Sequence, residues 1–69
     1  MPDDVRAALD GRDLMAAYEE RPAYQRNDYL HWIARAKRAE TRDKRLQQML
    51  DELRRGDVYM RMRWAGKSR

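Results

Sequence analysis

The stretch Tyr29-Leu-His-Trp-Ile-Ala-Arg-Ala-Lys-Arg-Ala-Glu-Thr-Arg-Asp-Lys-Arg-Leu-Gln-Gln-Met-Leu-Asp-Glu-Leu53 decides how this chain folds. Two apolar clusters flank a run of charge. Tyr29, Trp32, Ile33 and Ala36 share one helical face at spacings of three and four, and so do Leu46, Met49, Leu50 and Leu53. At roughly 100° per residue the second set is centred about 100° around the wheel from the first, so one straight helix cannot aim both at a single core. The spacing therefore predicts two helices, about 24–38 and about 40–55, meeting at a corner near Lys37–Thr41 where the charged residues are displayed. Acid-before-base pairs, Glu40 with Lys44 and Asp51 with Arg55, support the second of them.

Upstream, Pro2-Asp3-Asp4 opens a short helix. Asp3 is the expected cap, Asp4 complements the positive helix end, and Gly11 is the expected stop. Residues 12–20 predict a second short helix with Leu14, Met15 and Tyr18 on one side, ended by Arg21-Pro22 because a residue before proline is pushed out of the helical region. Downstream, Gly56 follows Arg54 and Arg55 as a helix-closing glycine. The period then changes. Val58, Met60, Met62 and Trp64 alternate with Tyr59, Arg61 and Arg63, the two-residue repeat of a strand. Three readings are open for this tail: an extended segment laid over the helices with Trp64 or Tyr59 as its anchor, a frayed end, or a strand added to another chain. The final residues, 65–69, are expected to be disordered.

The expected fold is thus all-α: a small bundle of four helices, two short and two longer, forming one domain over residues 1–57, followed by an extended C-terminal tail over 58–69. Its predicted core is Leu9, Leu14, Tyr18, Tyr29, Trp32, Ile33, Ala36, Leu46, Met49, Leu50 and Leu53. A chain of 69 residues buries only about 60% of the surface it exposes when unfolded. Without cysteine it has neither disulfides nor thiolate metal ligands, so helix packing or a partner must stabilise it.

The net charge of +4 is unevenly spread. Residues 1–20 carry six acids against Arg6 and Arg12, a balance of −4. Residues 35–45 carry Arg35, Lys37, Arg38, Arg42, Lys44 and Arg45 against Glu40 and Asp43, a balance of +4. Residues 61–69 add Arg61, Arg63, Lys67 and Arg69, another +4. Such polarity either attracts phosphates and acidic surfaces or simply faces water. The candidate contact surface is Arg35, Lys37, Arg38, Arg42, Lys44 and Arg45 together with Tyr59, Arg61, Arg63 and Trp64.

Enzyme chemistry is poorly supplied. Ser68 and Thr41 are the sole hydroxyl nucleophile candidates of their types, and His31, the one histidine, falls on the polar side of its helix. A single imidazole lacks the clustered ligands of a zinc site, and three scattered glycines make no phosphate loop. No catalytic residue, metal or cofactor is assigned. No stretch approaches the roughly 20 apolar residues of a membrane span, and the acidic start Met1-Pro-Asp-Asp lacks the features of a secretory signal. A cytoplasmic protein is expected.

Pro22 through Gly56, above all Asp28-Tyr-Leu-His-Trp-Ile-Ala-Arg-Ala-Lys-Arg38 and Glu40-Thr-Arg-Asp-Lys-Arg-Leu46, resembles the YdeI/OmpD-associated family of bacterial proteins, labelled bacteriocin-protection proteins. A weaker likeness over Pro2–Tyr18 extends it to most of the chain. The family often carries this helical unit at the end of a longer chain. Ala39 stands where the family often has a proline, and Tyr24 where it often has a serine cap. The resemblance implies a small helical bundle and a role in tolerance of bacteriocins or antimicrobial peptides, with no catalytic residues. The function expected is a non-enzymatic interaction module with an unidentified protein partner. The alternative is low-specificity nucleic-acid binding through residues 35–45 and the tail, with aromatic side chains as stacking groups.

Overall fold

A computed structural model describes residues 1–63 of the protein. In chain order the elements are α1 (Asp3–Gly11), α2 (Met15–Glu20), α3 (Ala23–Ala34), α4 (Ala39–Arg55), β1 (Val58–Tyr59) and β2 (Met62–Arg63).

Helix α1 begins after an extended Pro2, with Asp3 and Asp4 in its first turn. The expected cap by Asp3 is absent. Asp4 instead accepts the N–H of Val5 at 2.9 Å. Gly11 is the last helical residue rather than the turn itself. The reversal is made by Asp13 at φ 58°, a left-handed conformation that Asp tolerates better than most residues. The Leu14 N–H donates to the Leu9 carbonyl at 2.8 Å, satisfying one of the carbonyls left open at the helix end. This turn occupies residues 12–14, which is why α2 starts at Met15 and not at 12. Arg21 is extended (φ −71°, ψ 149°), as the following proline requires.

The chain does bend between its two longest helices, but earlier than expected. Helix α3 stops at Ala34, and the corner spans residues 35–38. The carbonyls of Trp32 and Ile33, near the end of α3, accept guanidinium N–H groups of Arg45 at 2.6 Å and Arg42 at 3.4 Å from the next helix. Those bonds substitute for further helical turns. An extended Arg38 (φ −105°, ψ 145°) then leads into α4, with no side-chain cap at its start.

One apolar cluster joins all four helices: Val5, Leu9, Tyr18, Tyr29, Ile33, Leu46, Met49, Leu50 and Leu53. Fully burying one aliphatic side chain of this kind contributes about 1.5–3 kcal/mol, so the cluster carries a fold that has no disulfide. Three expected core residues lie only half-buried: Leu14, which precedes α2, Ala36, which falls in the corner beyond α3, and Trp32, which packs at the margin under Arg45. Val5, on the apolar side of α1 with Leu9, is fully buried.

Gly56, at φ 82°, closes α4 in the left-handed conformation, its N–H donating to the Glu52 carbonyl at 2.9 Å. The tail is not the lone extended segment expected. It folds back on itself as an antiparallel hairpin with Val58 opposite Arg63 and Tyr59 opposite Met62. The fold is therefore four helices with a small two-stranded sheet. Tyr59 anchors the hairpin edge-on against Tyr29, with ring centroids 5.6 Å apart, and against Tyr24 at 5.9 Å. Trp64 and the expected disorder of the last residues lie outside the described residues.

Candidate functional site

The residues expected to form one contact surface fall into two groups along α4. At its start, Arg35, Lys37 and Arg38 are exposed on the corner, and Lys44 is exposed about a turn and a half further along. Arg42 and Arg45 are half-buried and engaged. Arg42 grips Asp4 of α1 through two nitrogens, at 2.9 and 3.0 Å. That hydrogen bond, and the guanidinium charge behind it, holds the Asp4 carboxyl below its ordinary value. Arg45 lies over the Trp32 ring, 5.3 Å from its centroid, while bonding the Trp32 carbonyl. Both arginines hold the corner together. The corner cations differ: Arg38 has a single long ion pair to Glu40 at 3.8 Å, and Arg35 and Lys37 have no acidic partner among the described residues.

The hairpin lies towards the other end of α4, and its organising group is one that sequence reasoning missed. The Glu52 carboxylate is only 3% exposed. It accepts the Tyr29 hydroxyl at 2.5 Å, Gln48 Nε2 at 3.1 Å, and the backbone N–H groups of Met60 at 2.8 Å and Arg61 at 2.9 Å. Met60 and Arg61 have φ of 50° and 65°, the paired left-handed conformation of a two-residue hairpin loop. That loop is usually built from Asn-Gly. Here two ordinary residues adopt it, at a cost of roughly 1–2 kcal/mol each, and the buried carboxylate offsets the cost by fixing both N–H groups. The backbone carbonyl of the same Glu52 accepts Arg21 Nη2 at 3.0 Å, and Arg21 Nη1 reaches Gln25 at 3.1 Å. Gln25 is fully buried and donates to the Tyr24 hydroxyl at 3.1 Å. No buried side-chain nitrogen or oxygen among the described residues lacks a partner.

A signal for this node was present. Glu52 follows Met49 by three positions and precedes Leu53, so it sits at the edge of the apolar face of α4, where a carboxylate needs partners. Burial and the Glu52 hydrogen bond together push the Tyr29 phenol well above its ordinary range. Tyr59 is raised to about 12 by burial and by its hydrogen bond to Asp28.

The acid-base pairs along α4 also differ from expectation. Glu40 faces Arg38, and Asp51 bonds Arg54 at 3.1 Å; Lys44 and Arg55 are left without an acidic partner among the described residues. Lys44 and Arg61 both line a groove between α4 and the hairpin. Arg63 is exposed on β2. His31 is exposed on α3, and among the described residues no three His, Asp or Glu side chains converge to hold a metal. No helix among them is long and apolar enough to cross a membrane.

Residues 1–56 match the OmdA family, described as bacteriocin-protection, YdeI or OmpD-associated. The chain belongs to this family. No significant match to a curated protein or to a solved structure accompanies it. In this OmdA-family chain the matched region contains all four helices, the basic corner and Glu52, and ends at the glycine that closes α4. The hairpin that Glu52 holds lies beyond the match.

Proposed function

We propose that this chain acts without catalysing a reaction, as a cytoplasmic helical interaction module whose exposed basic corner engages an acidic surface on a protein partner. Its part in bacteriocin or antimicrobial-peptide tolerance then runs through that partner. The observation carrying this reading is the division of labour among the cations of residues 35–45. Arg42 and Arg45 fasten α3 to α4 through the Ile33 and Trp32 carbonyls, whereas Arg35, Lys37 and Arg38 stand in water on the corner between them. Direct capture of cationic peptides by this corner is disfavoured, since like charges repel across an interface. The absence of cysteine and the exposure of the lone His31 favour a binding role over catalysis.

The test is capture of partners from cell extract by the full chain and by a variant carrying Arg35→Ala, Lys37→Ala and Arg38→Ala. All three side chains are exposed, so the fold and its circular dichroism should be unchanged. Loss of the specific partner supports the proposal; undiminished capture by the variant refutes it. Binding of duplex or single-stranded nucleic acid that weakens steeply as salt rises, and is lost in the same variant, would replace it with the nucleic-acid reading.

A further inference from the structure

On α4, Lys44, Gln47, Gln48, Asp51 and Arg55 recur at spacings of three and four and form one stripe facing the hairpin. Between them and the hairpin residues Val58 and Arg61 runs a groove of about 660 Å³, also lined by Glu52, whose carboxylate is already occupied by four donors; the volume is within the usual range of about 300–1,000 Å³ for a binding cleft. We propose that this groove receives an extended acidic peptide segment of a protein partner, with a carboxylate near each end and neutral backbone between. The inference rests on the interaction-module reading and names the chemistry of the partner.

The distribution of charge along the groove carries it. Lys44 and Arg55 lie at its two ends, roughly 16 Å apart at about 1.5 Å per helical residue. Neither has an acidic partner among the described residues. Arg61, on the hairpin wall, gives its Nε to Gln48 at 3.1 Å, and its terminal nitrogens have no partner among the described residues. The centre is different. Among the described residues, Gln47 accepts Arg12 through Oε1 at 3.0 Å with its amide donors unengaged, and Asp51 accepts Arg54 through Oδ1 with Oδ2 unengaged. A donor and an acceptor side by side suit the alternating C=O and N–H of an extended backbone. On an extended segment rising about 3.3 Å per residue, side chains four positions apart leave the same face about 13 Å apart, and the long Lys44 and Arg55 side chains close the difference. A continuous polyphosphate strand fits poorly, because its central charges would meet Asp51.

The experiment is a fluorescence-anisotropy titration of the full chain with a labelled, end-blocked Glu-Ser-Ser-Ser-Glu peptide at low salt. Saturable binding is expected, and the Lys-Ser-Ser-Ser-Lys counterpart should not bind. Lys44→Glu and Arg55→Glu should each weaken binding roughly tenfold, the effect of reversing one complementary charge. Arg35→Glu and Arg38→Glu, on the corner, should change it less than about twofold. Absence of binding, or equal affinity for the lysine peptide, overturns the inference. So does loss of binding in the corner variants with the groove variants unaffected, an outcome that leaves the corner as the contact surface. An oligothymidylate that binds more tightly than the peptide, and gains affinity with Asp51→Asn, also overturns it. Undiminished partner capture by the triple corner variant would fail the module reading separately, whatever the peptide does.

Discussion

Replacing Glu52 with glutamine probes the hairpin through one oxygen-to-nitrogen exchange at nearly constant volume. Each carboxylate oxygen of Glu52 receives two donors: Oε1 takes the Tyr29 hydroxyl and the Met60 N–H, and Oε2 takes Gln48 Nε2 and the Arg61 N–H. A glutamine amide can place its NH2 at only one of those positions. At the Oε2 position it confronts two donors that cannot turn around without repacking. At the Oε1 position the Tyr29 hydroxyl can reverse and accept, but the Met60 N–H is left facing another donor. At least one backbone N–H of the hairpin loses its partner, and the survivors lose their charge assistance.

Hydrogen bonds to a charged group are each worth about 1.5–3 kcal/mol, so holding the hairpin in place after the exchange costs about 3–6 kcal/mol when two are lost. Detaching the hairpin is cheaper. It releases the left-handed strain at Met60 and Arg61, roughly 1–2 kcal/mol each, and lets water satisfy the amide, at the expense of the cover over Tyr29. The lower route wins, which limits the net loss to about 2–3 kcal/mol. For a domain of this length, with roughly 3–10 kcal/mol in all, that is a large fraction. The assay is urea denaturation followed by circular dichroism, combined with amide hydrogen exchange read by NMR. The Glu52→Gln variant should keep its helices, melt at lower urea, and lose protection at Met60 and Arg61 ahead of the amides of α4. Unchanged protection at those two amides, or an unchanged urea midpoint, would refute the reasoning.

Two further outcomes follow from the same structure. Arg45→Ala removes the bond to the Trp32 carbonyl and the cation over the Trp32 ring, which together should destabilise the protein by about 1–2 kcal/mol; a melting temperature unmoved by the change would mean the corner holds without it. The phenols of Tyr29 and Tyr59 are raised in the folded chain above the ordinary 10.0, so their contribution is whole below about pH 10 and is lost as pH rises towards the folded value, about 12 for Tyr59. Urea midpoints should be flat from neutral pH to about 9 and then fall, with buried Tyr29 alone accounting for about 1.4 kcal/mol per pH unit; a Tyr29→Phe variant that falls as steeply as the parent would contradict this.

The helices were legible because their causes are local. Spacings of three and four around Tyr29, Ile33, Leu46 and Met49 require two helices with a bend between them, and Gly56 stops the second by a backbone preference that glycine alone satisfies cheaply. The position of the bend was less legible. It depends on Arg42 and Arg45 reaching back from α4 to carbonyls at the end of α3, contacts that exist only once the helices have packed. The same packing moved Ala36 out of the core and left Trp32 at its edge. In the candidate surface, residue type and exposure could be anticipated, but not which arginines the fold itself engages. Six basic residues in eleven positions read as one patch, whereas the structure divides them into half-buried fasteners and exposed cations.

The tail was least legible because its local pattern points the wrong way. Met60-Arg61 carries none of the Asn or Gly that a two-residue hairpin loop calls for, so a strand without a partner was the natural reading. What overrides local preference is Glu52, eight residues earlier, through bonds to two successive N–H groups. The dependence runs both ways. A carboxylate 3% exposed is tolerable only with its acceptor sites filled, and two of its four donors come from the hairpin. Tyr59, on the same hairpin, packs edge-on against the buried Tyr29 that supplies a third donor. The hairpin is therefore joined to the helical core by a polar node and an aromatic contact, although it lies beyond the residues matched to the family. The groove wall formed by Val58 and Arg61 exists for the same reason: without the Glu52 carboxylate, the loop that positions Arg61 has no cause to adopt its shape.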